Sequence, residues 1–287
     1  MSPLAITFVV SAILLASLWR IVARSKTKDP TNDLAYTLIT ELFAAGTGLV
    51  ILILTGFNLT VPIDPQIWAL FALSIGIATL GDYLLLISTK YADLADTSIL
   101  IPLSNFWTLL LAFIFLGESI SLQKSLAVGL IIIGSMLALM KTGKITVNKG
   151  IIAITLYGIS AALMNTIDKG ISDQFSIPLY ATISYGVSAV LLYMFLGKKR
   201  AQIATTEWKK QGWWLGAVGV MWAMFSVMLL SAYNYMDVST VVPLMRFFIV
   251  ITTLYSLFVL KEKTRFVQKI VGSLLVTAGA ILLAFIK

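Results

Sequence analysis

The sequence predicts an all-α integral membrane protein with ten transmembrane helices arranged as two inverted five-helix repeats. Three observations carry that expectation. The 287 residues are 59% hydrophobic and only 12% charged, with a mean hydropathy of +0.95, whereas soluble domains are roughly a quarter charged. The charges cluster between apolar runs of about the 20 residues that a helix needs to cross the hydrocarbon core. Motifs in the first half of the chain also recur in the second half at matching offsets.

Composition removes whole classes of chemistry. With no histidine and no cysteine, the chain lacks disulfides, imidazole or thiolate metal ligands, cysteine nucleophiles and any Ser-His-Asp triad. It also lacks a Gly-x-x-x-x-Gly-Lys-Ser/Thr loop for nucleotide phosphates. No metal, no cofactor and no enzymatic activity are therefore expected. The net charge of +8 would point to nucleic acid in a soluble protein. Here the basic residues sit in short loops between apolar runs, so the expected partners are the lipid bilayer and a small-molecule substrate, not nucleic acid. A monomer is expected, with a dimer as the alternative.

The spans follow in order. Residues 3–22 are read as helix one because a cleavable signal peptide carries basic residues ahead of its apolar core, and Met1 to Ile6 has none. The second span, 34–56, carries Glu41 early, and the third, 66–88, carries Asp82 late. Span four, 97–116, contains Pro102, span five covers 122–140, and span six, 150–169, closes on Asn165, Asp168 and Lys169. Spans seven and eight, 177–196 and 213–234, are separated by a basic loop, and Trp208, Trp213 and Trp214 beside span eight fit an interfacial aromatic belt. The ninth, 240–260, holds one charge, Arg246, just after Pro243. The tenth is 267–286. Asp96 and Asp237, each two residues before a serine, are read as N-caps, and Gly129, Gly134, Gly272 and Gly279 as points of close helix approach.

Cytoplasmic loops carry the excess of Lys and Arg. All the basic residues except Lys124, Lys169, Lys287 and the intramembrane Arg246 fall in odd-numbered loops. A multi-pass protein of the cell (inner) membrane with both termini outside is the expectation.

The repeat is concrete. Asp96-Thr-Ser-Ile-Leu-Ile-Pro102-Leu-Ser-Asn105-Phe-Trp recurs as Asp237-Val-Ser-Thr-Val-Val-Pro243-Leu-Met-Arg246-Phe-Phe. Leu116-Gly-Glu118 then answers Leu260-Lys-Glu262, Gln123 answers Gln268, and Gly134 answers Gly279. An odd number of helices per unit forces the second unit to insert upside down. The first repeat is drawn at 1–142, a cytoplasmic linker at 143–149 and the second, inverted repeat at 150–287. Two such bundles can open a central site first to one side and then to the other, which points to transport.

Each half closes with a proline-bearing helix, a short Gly-Glu-type turn and a glycine-rich last helix. In these features the chain resembles the EamA branch of the drug/metabolite transporter superfamily. The resemblance covers nearly the whole chain, and its motifs are degenerate. It implies a central cavity lined by both halves and a cargo among amino acids and other metabolites. Lys261 stands where the first repeat has Gly117. The outside termini also depart from the cytoplasmic termini with which many relatives are drawn.

A charge near the bilayer centre costs about 2.5–3.5 kcal/mol on insertion scales, so it faces a wet path or a partner. Arg246 is expected to present its planar fork to a carboxylate or phosphate on the cargo. The alternative is a structural ion pair with Glu41 or Asp82. Asn105, at the equivalent place in the first repeat, is expected to face the same cavity, with interhelical bonding as the other reading. Trp107, Tyr83, Trp222 and Tyr157 are candidate lining aromatics, though packing is the readier reading for any one of them. Glu41 and Asp82 are candidates for proton coupling. Asn165, Asp168 and Lys169 are a candidate gate, with an interfacial helix end the simpler reading, and Pro102 and Pro243 are candidate helix breaks.

The sequence thus leads to a secondary carrier that moves a small, carboxylate-bearing metabolite by alternating access, with export the expected direction. The alternatives are an efflux carrier for lipophilic cations and drugs, against which Arg246 counts, and a lipid flippase.

Overall fold

A computed structural model describes residues 3–27, 30–91, 102, 104–139, 148–259 and 266–285. Among these the chain is all helix and turn, with no strand. In order the helices are α1 (Pro3–Lys26), α2 (Asp33–Leu54), α3 (Pro65–Tyr91), α4 (Ser104–Leu116), α5 (Leu122–Leu139), α6 (Lys149–Ile171), α7 (Ile177–Phe195), α8 (Arg200–Gln211), α9 (Trp213–Tyr233), α10 (Val238–Met245), α11 (Phe248–Phe258) and α12 (Phe266–Ala284). Seven stretches among the described residues are long and apolar enough to cross a membrane, and three shorter apolar helices cover 104–116, 122–137 and 267–283. Long apolar runs become helices because lipid offers the backbone no hydrogen-bond partner.

Two differences from the sequence expectation stand out. The basic loop after α7 contains a helix of its own, α8. It falls outside the span count because it is short and polar. The expected ninth span is two helices, α10 and α11, separated at Arg246 and Phe247. Across that break the chain tightens: Arg246 N–H bonds Pro243 O at 2.9 Å, Phe247 N–H bonds Leu244 O at 3.0 Å, and Ile249 N–H bonds Arg246 O at 2.8 Å. These three-residue links replace four-residue ones after a proline that cannot donate. The break after Pro243 is therefore a narrow turn that keeps its backbone bonded.

The chain divides into two compact units. One comprises Met1–Val9, Leu80–Thr166 and Tyr235–Lys287, and the other Val10–Thr79 and Ile167–Asn234. Each takes segments from both halves of the sequence. In the first unit α5 packs on α12 and α4 on α10, while in the second α2 packs on α7 and on α9.

Glycine sets the α5–α12 contact. A Cβ on Gly134 would lie 2.7 Å from Gly272 O and Val276 N, and one on Gly279 would lie 2.7 Å from Ala127 O and Ile131 Cγ1. The shift that takes Gly134 to Gly279 also takes Ala127 to Gly272 and Ile131 to Val276. Each contact therefore has its mirror, as a two-fold requires. As numbers rise along α5 they fall along the facing α12, so these repeat-related helices run antiparallel. In the second unit Gly48, late in α2, meets Thr182, early in α7, while Ala35 and Leu38 cluster with Ala189, Leu192 and Leu196. That pair is antiparallel too. Gly129 departs from the expectation, since a Cβ there meets nothing within 4 Å.

Gly134→Val is expected to overpack the α5–α12 seam and cost about 1–3 kcal/mol, lowering the thermal midpoint of purified protein by several degrees. Gly129→Ala should leave it unchanged. Scanning fluorimetry of both variants compares them directly.

Candidate functional site

The first unit holds α10 at both ends from α4. At the N-terminal end, the sequence expectation that Asp237 caps the helix is corrected: its side chain makes no capping bond. Glu118, just beyond α4, does so instead. Val238 N–H donates to Oε1 at 2.8 Å and Ser239 N–H to Oε2 at 3.1 Å, and the Ser239 hydroxyl also donates to Oε2. Asp237 is bound by Lys124, whose Nζ lies 2.9 Å from Oδ2 and 3.8 Å from Glu118 Oε2. A buried carboxylate thus receives helix-terminal N–H groups and a nearby ammonium, the combination that helix-end charge complementarity favours. Asp96, the other expected cap, lies outside the described residues.

At the C-terminal end, the α10–α11 break aims Arg246 back at the start of α4. Arg246 Nε donates to Asn105 Oδ1 at 3.1 Å and Nη2 to Ser104 Oγ at 2.7 Å. Asn105 is fully buried and Ser104 nearly so, while Arg246 is half-buried. No carboxylate among the described residues is seen paired with the guanidinium. Asn105 Nδ2 has no hydrogen-bond acceptor among the described residues. Asn105 and Arg246 occupy equivalent places in the two repeats, and they meet each other.

Small residues let α6 and α3 close around this point. A Cβ on Gly158 would sit 3.6 Å from Ser104, and one on Gly81 would sit 3.7 Å from both Tyr157 and Ser160. The unit therefore brings together Arg246 and Asn105 of the expected residues and adds Ser104, while Tyr157 precedes the Gly158 that faces Ser104. Asp82 follows Gly81 and is half-buried. Pro243 is buried in α10, and Pro102 is buried in a one-residue described stretch ahead of α4.

The other expected residues are placed as follows. Trp107 is half-buried and edge-on to Phe106, with ring centres 5.4 Å apart, and Tyr83 is exposed. Trp222, in the second unit, is edge-on to Trp19 at 5.2 Å. Glu41 is buried in α2. Asp168 and Lys169 do not pair in this state. Asp168 Oδ1 accepts from Ser74 Oγ at 2.5 Å and from Tyr180 OH at 2.6 Å, and Lys169 donates to the Tyr233 carbonyl. Asn165 is half-buried one turn earlier. Sequence reasoning missed the work of Glu118 and Lys124. The repeated Leu-x-Glu turn marked Glu118 as special, but not what it binds.

An apolar, helix-paired protein with an arginine at a proline-led break is, by class, a multi-pass membrane protein built on a duplicated unit. A model of the EamA-like transporter family matches the chain twice, over residues 3–140 and 148–285. The chain belongs to that family, and it is a membrane transporter of the drug/metabolite transporter superfamily. No curated protein matches it. It is similar to a solved structure titled only "Crystal structure of protein", with a TM-score of 0.72 and 15% identity over 97% of this chain and 95% of that one. That likeness concerns the fold alone.

Glu118→Ala is expected to strand two buried N–H groups, each costing about 1–3 kcal/mol, while Lys124 keeps Asp237 as its partner. Glu118→Gln should cost less because one acceptor oxygen remains. Thermal melts of the two variants against the parent test the order.

Proposed function

We propose that this transporter carries a small metabolite bearing a carboxylate, such as an amino acid or organic acid, with Arg246 as the group that receives it. One observation carries the reading. The guanidinium is bound only to neutral oxygens among the described residues, and it stands beside a buried amide N–H₂ that has no acceptor. A cargo carboxylate supplies the missing charge and accepts from both donors, a fork geometry in which arginine is strong. A lipophilic cation would meet the same guanidinium as a repulsive charge, which weighs against the drug-efflux reading.

Alternating access about the shared axis of the repeats is the mechanism that an inverted duplication supports. Export is the direction favoured by the resemblance to metabolite exporters. Glu41 and Asp82 are the proposed proton-coupling groups, and Asn165, Asp168 and Lys169 the proposed gate. Outside termini in the cell (inner) membrane rest on the loop charges. The basic loops after α1 and α7 do meet within one unit, where Thr31 and Asn32 N–H donate to Glu207 Oε2 at 3.0 and 3.1 Å.

In proteoliposomes, Arg246→Ala is expected to lower carboxylate transport by about ten- to a hundredfold, the equivalent of one charged hydrogen-bonded contact. Arg246→Lys should fall in between, with rates compared at equal amounts of folded protein, since Arg246→Ala also leaves Asn105 Oδ1 and Ser104 Oγ without their donor. Stabilisation by cationic ligands in place of carboxylates would overturn the assignment. For coupling, Glu41→Gln or Asp82→Asn should abolish the dependence on a proton gradient, and its persistence in both variants would remove that role.

A further inference from the structure

We infer that the second unit carries a seat for one anionic glycerophospholipid, with the headgroup on a basic surface made by α8 and the end of α1 and an acyl chain in the groove between α2 and α9.

The headgroup surface follows from how α8 is tied down. Its only acid, Glu207, is 1% exposed, and one oxygen takes the Thr31 and Asn32 N–H groups while the other accepts from Gln211 Nε2 at 2.7 Å. Lys210 Nζ donates to Thr31 Oγ1 at 2.9 Å. Gly212, at φ 65°, then makes the corner into α9, a backbone region open to glycine at little cost. With its acid turned inward, α8 presents Lys209 to the outside. Lys26, at the end of α1, lies with its ammonium 5.4 Å from the centre of the Trp214 ring. Against Asp33, which follows Asn32 at the start of α2, stand Lys26, Lys209 and Lys210, so the balance of charge on this surface is positive. It is flanked by Trp208, Trp213 and Trp214, the residues that settle at headgroup level.

The acyl seat is continuous with it. Trp208 stacks on Phe43 with ring centres 5.4 Å apart, and Phe43 lines an apolar groove of about 600 Å³ together with Leu42, Gly46, Thr47, Val50 and Val220. Val220 lies seven residues after Trp213, about 10 Å along the axis. That is inside the roughly 15 Å that one leaflet contributes to the hydrocarbon core. Gly46 leaves the groove open, since a Cβ there meets nothing within 4 Å. A neutral lipid would fill the groove without using the ammonium groups, whereas an anionic one uses both. Juxtamembrane lysines each add measurable attraction to an anionic surface.

The test is a titration of the purified full chain with dioleoyl phosphatidylglycerol or dioleoyl phosphatidylcholine, reading thermal midpoint and bound lipid by native mass spectrometry. Phosphatidylglycerol is expected to bind and stabilise more. Lys209→Gln should weaken it about fivefold, and combination with Lys26→Gln should bring the two lipids level. Gly46→Phe should reduce binding of both lipids by filling the groove. Soluble glycerophosphate at the same concentration should not stabilise. Equal binding of the two lipids by the parent, full selectivity in the double lysine variant, unchanged binding in Gly46→Phe, or equal stabilisation by glycerophosphate would each overturn the proposal.

Discussion

Hydrocarbon offers no hydrogen bonds, so a polar group carried into the membrane is costly unless it finds a partner within the protein. The contacts of α10 are a direct consequence. Its first N–H groups would be orphaned in lipid, and Glu118 receives them. Its far end carries a cation, and Ser104 and Asn105 receive that. Both sets of acceptors come from α4 or the turn that follows it, so two apolar helices are held in register by polar contacts at their ends. Apolar packing alone gives no such register, because lipid tails are as oily as leucine.

Close approach supplies the rest. In the α5–α12 seam, Gly134 and Gly279 face backbone as well as side-chain atoms, so the two helices approach main chain to main chain and gain dispersion contacts that larger residues would forbid. The mirrored partners show that the duplication survives in the packing, even though few residues of the two halves are identical. The second unit uses the same device at Gly48 against Thr182, and at Gly216 and Gly219 against Phe43 and Thr40.

Helix positions were legible in the sequence because length and hydropathy are strong constraints on a membrane segment. Membership of the family was legible because the repeated Asp, Pro and Glu recur at matching offsets. The repeat marked Arg246 and Asn105 as equivalent and expected them to face one cavity, and only the structure shows that they touch. Three things were hidden. The Asp237 cap was misread because a short acid before a helix is the commonest cap, and only tertiary contact brings Glu118 nearer. The helix α8 was missed because its pattern is that of a basic loop. Gly129 looks like Gly134 in sequence, and only the facing helix distinguishes a contact from an open flank.

The meeting of Asn105 and Arg246 has a consequence for energetics. Two halves that swap roles would, if identical, rest equally well in either arrangement. Here the residue at the equivalent place is an amide in one copy and a cation in the other, so the positive charge belongs to one half alone. Under the alternating access proposed above, the two opposed conformations would be unequal in free energy, with the tilt set by this departure from symmetry.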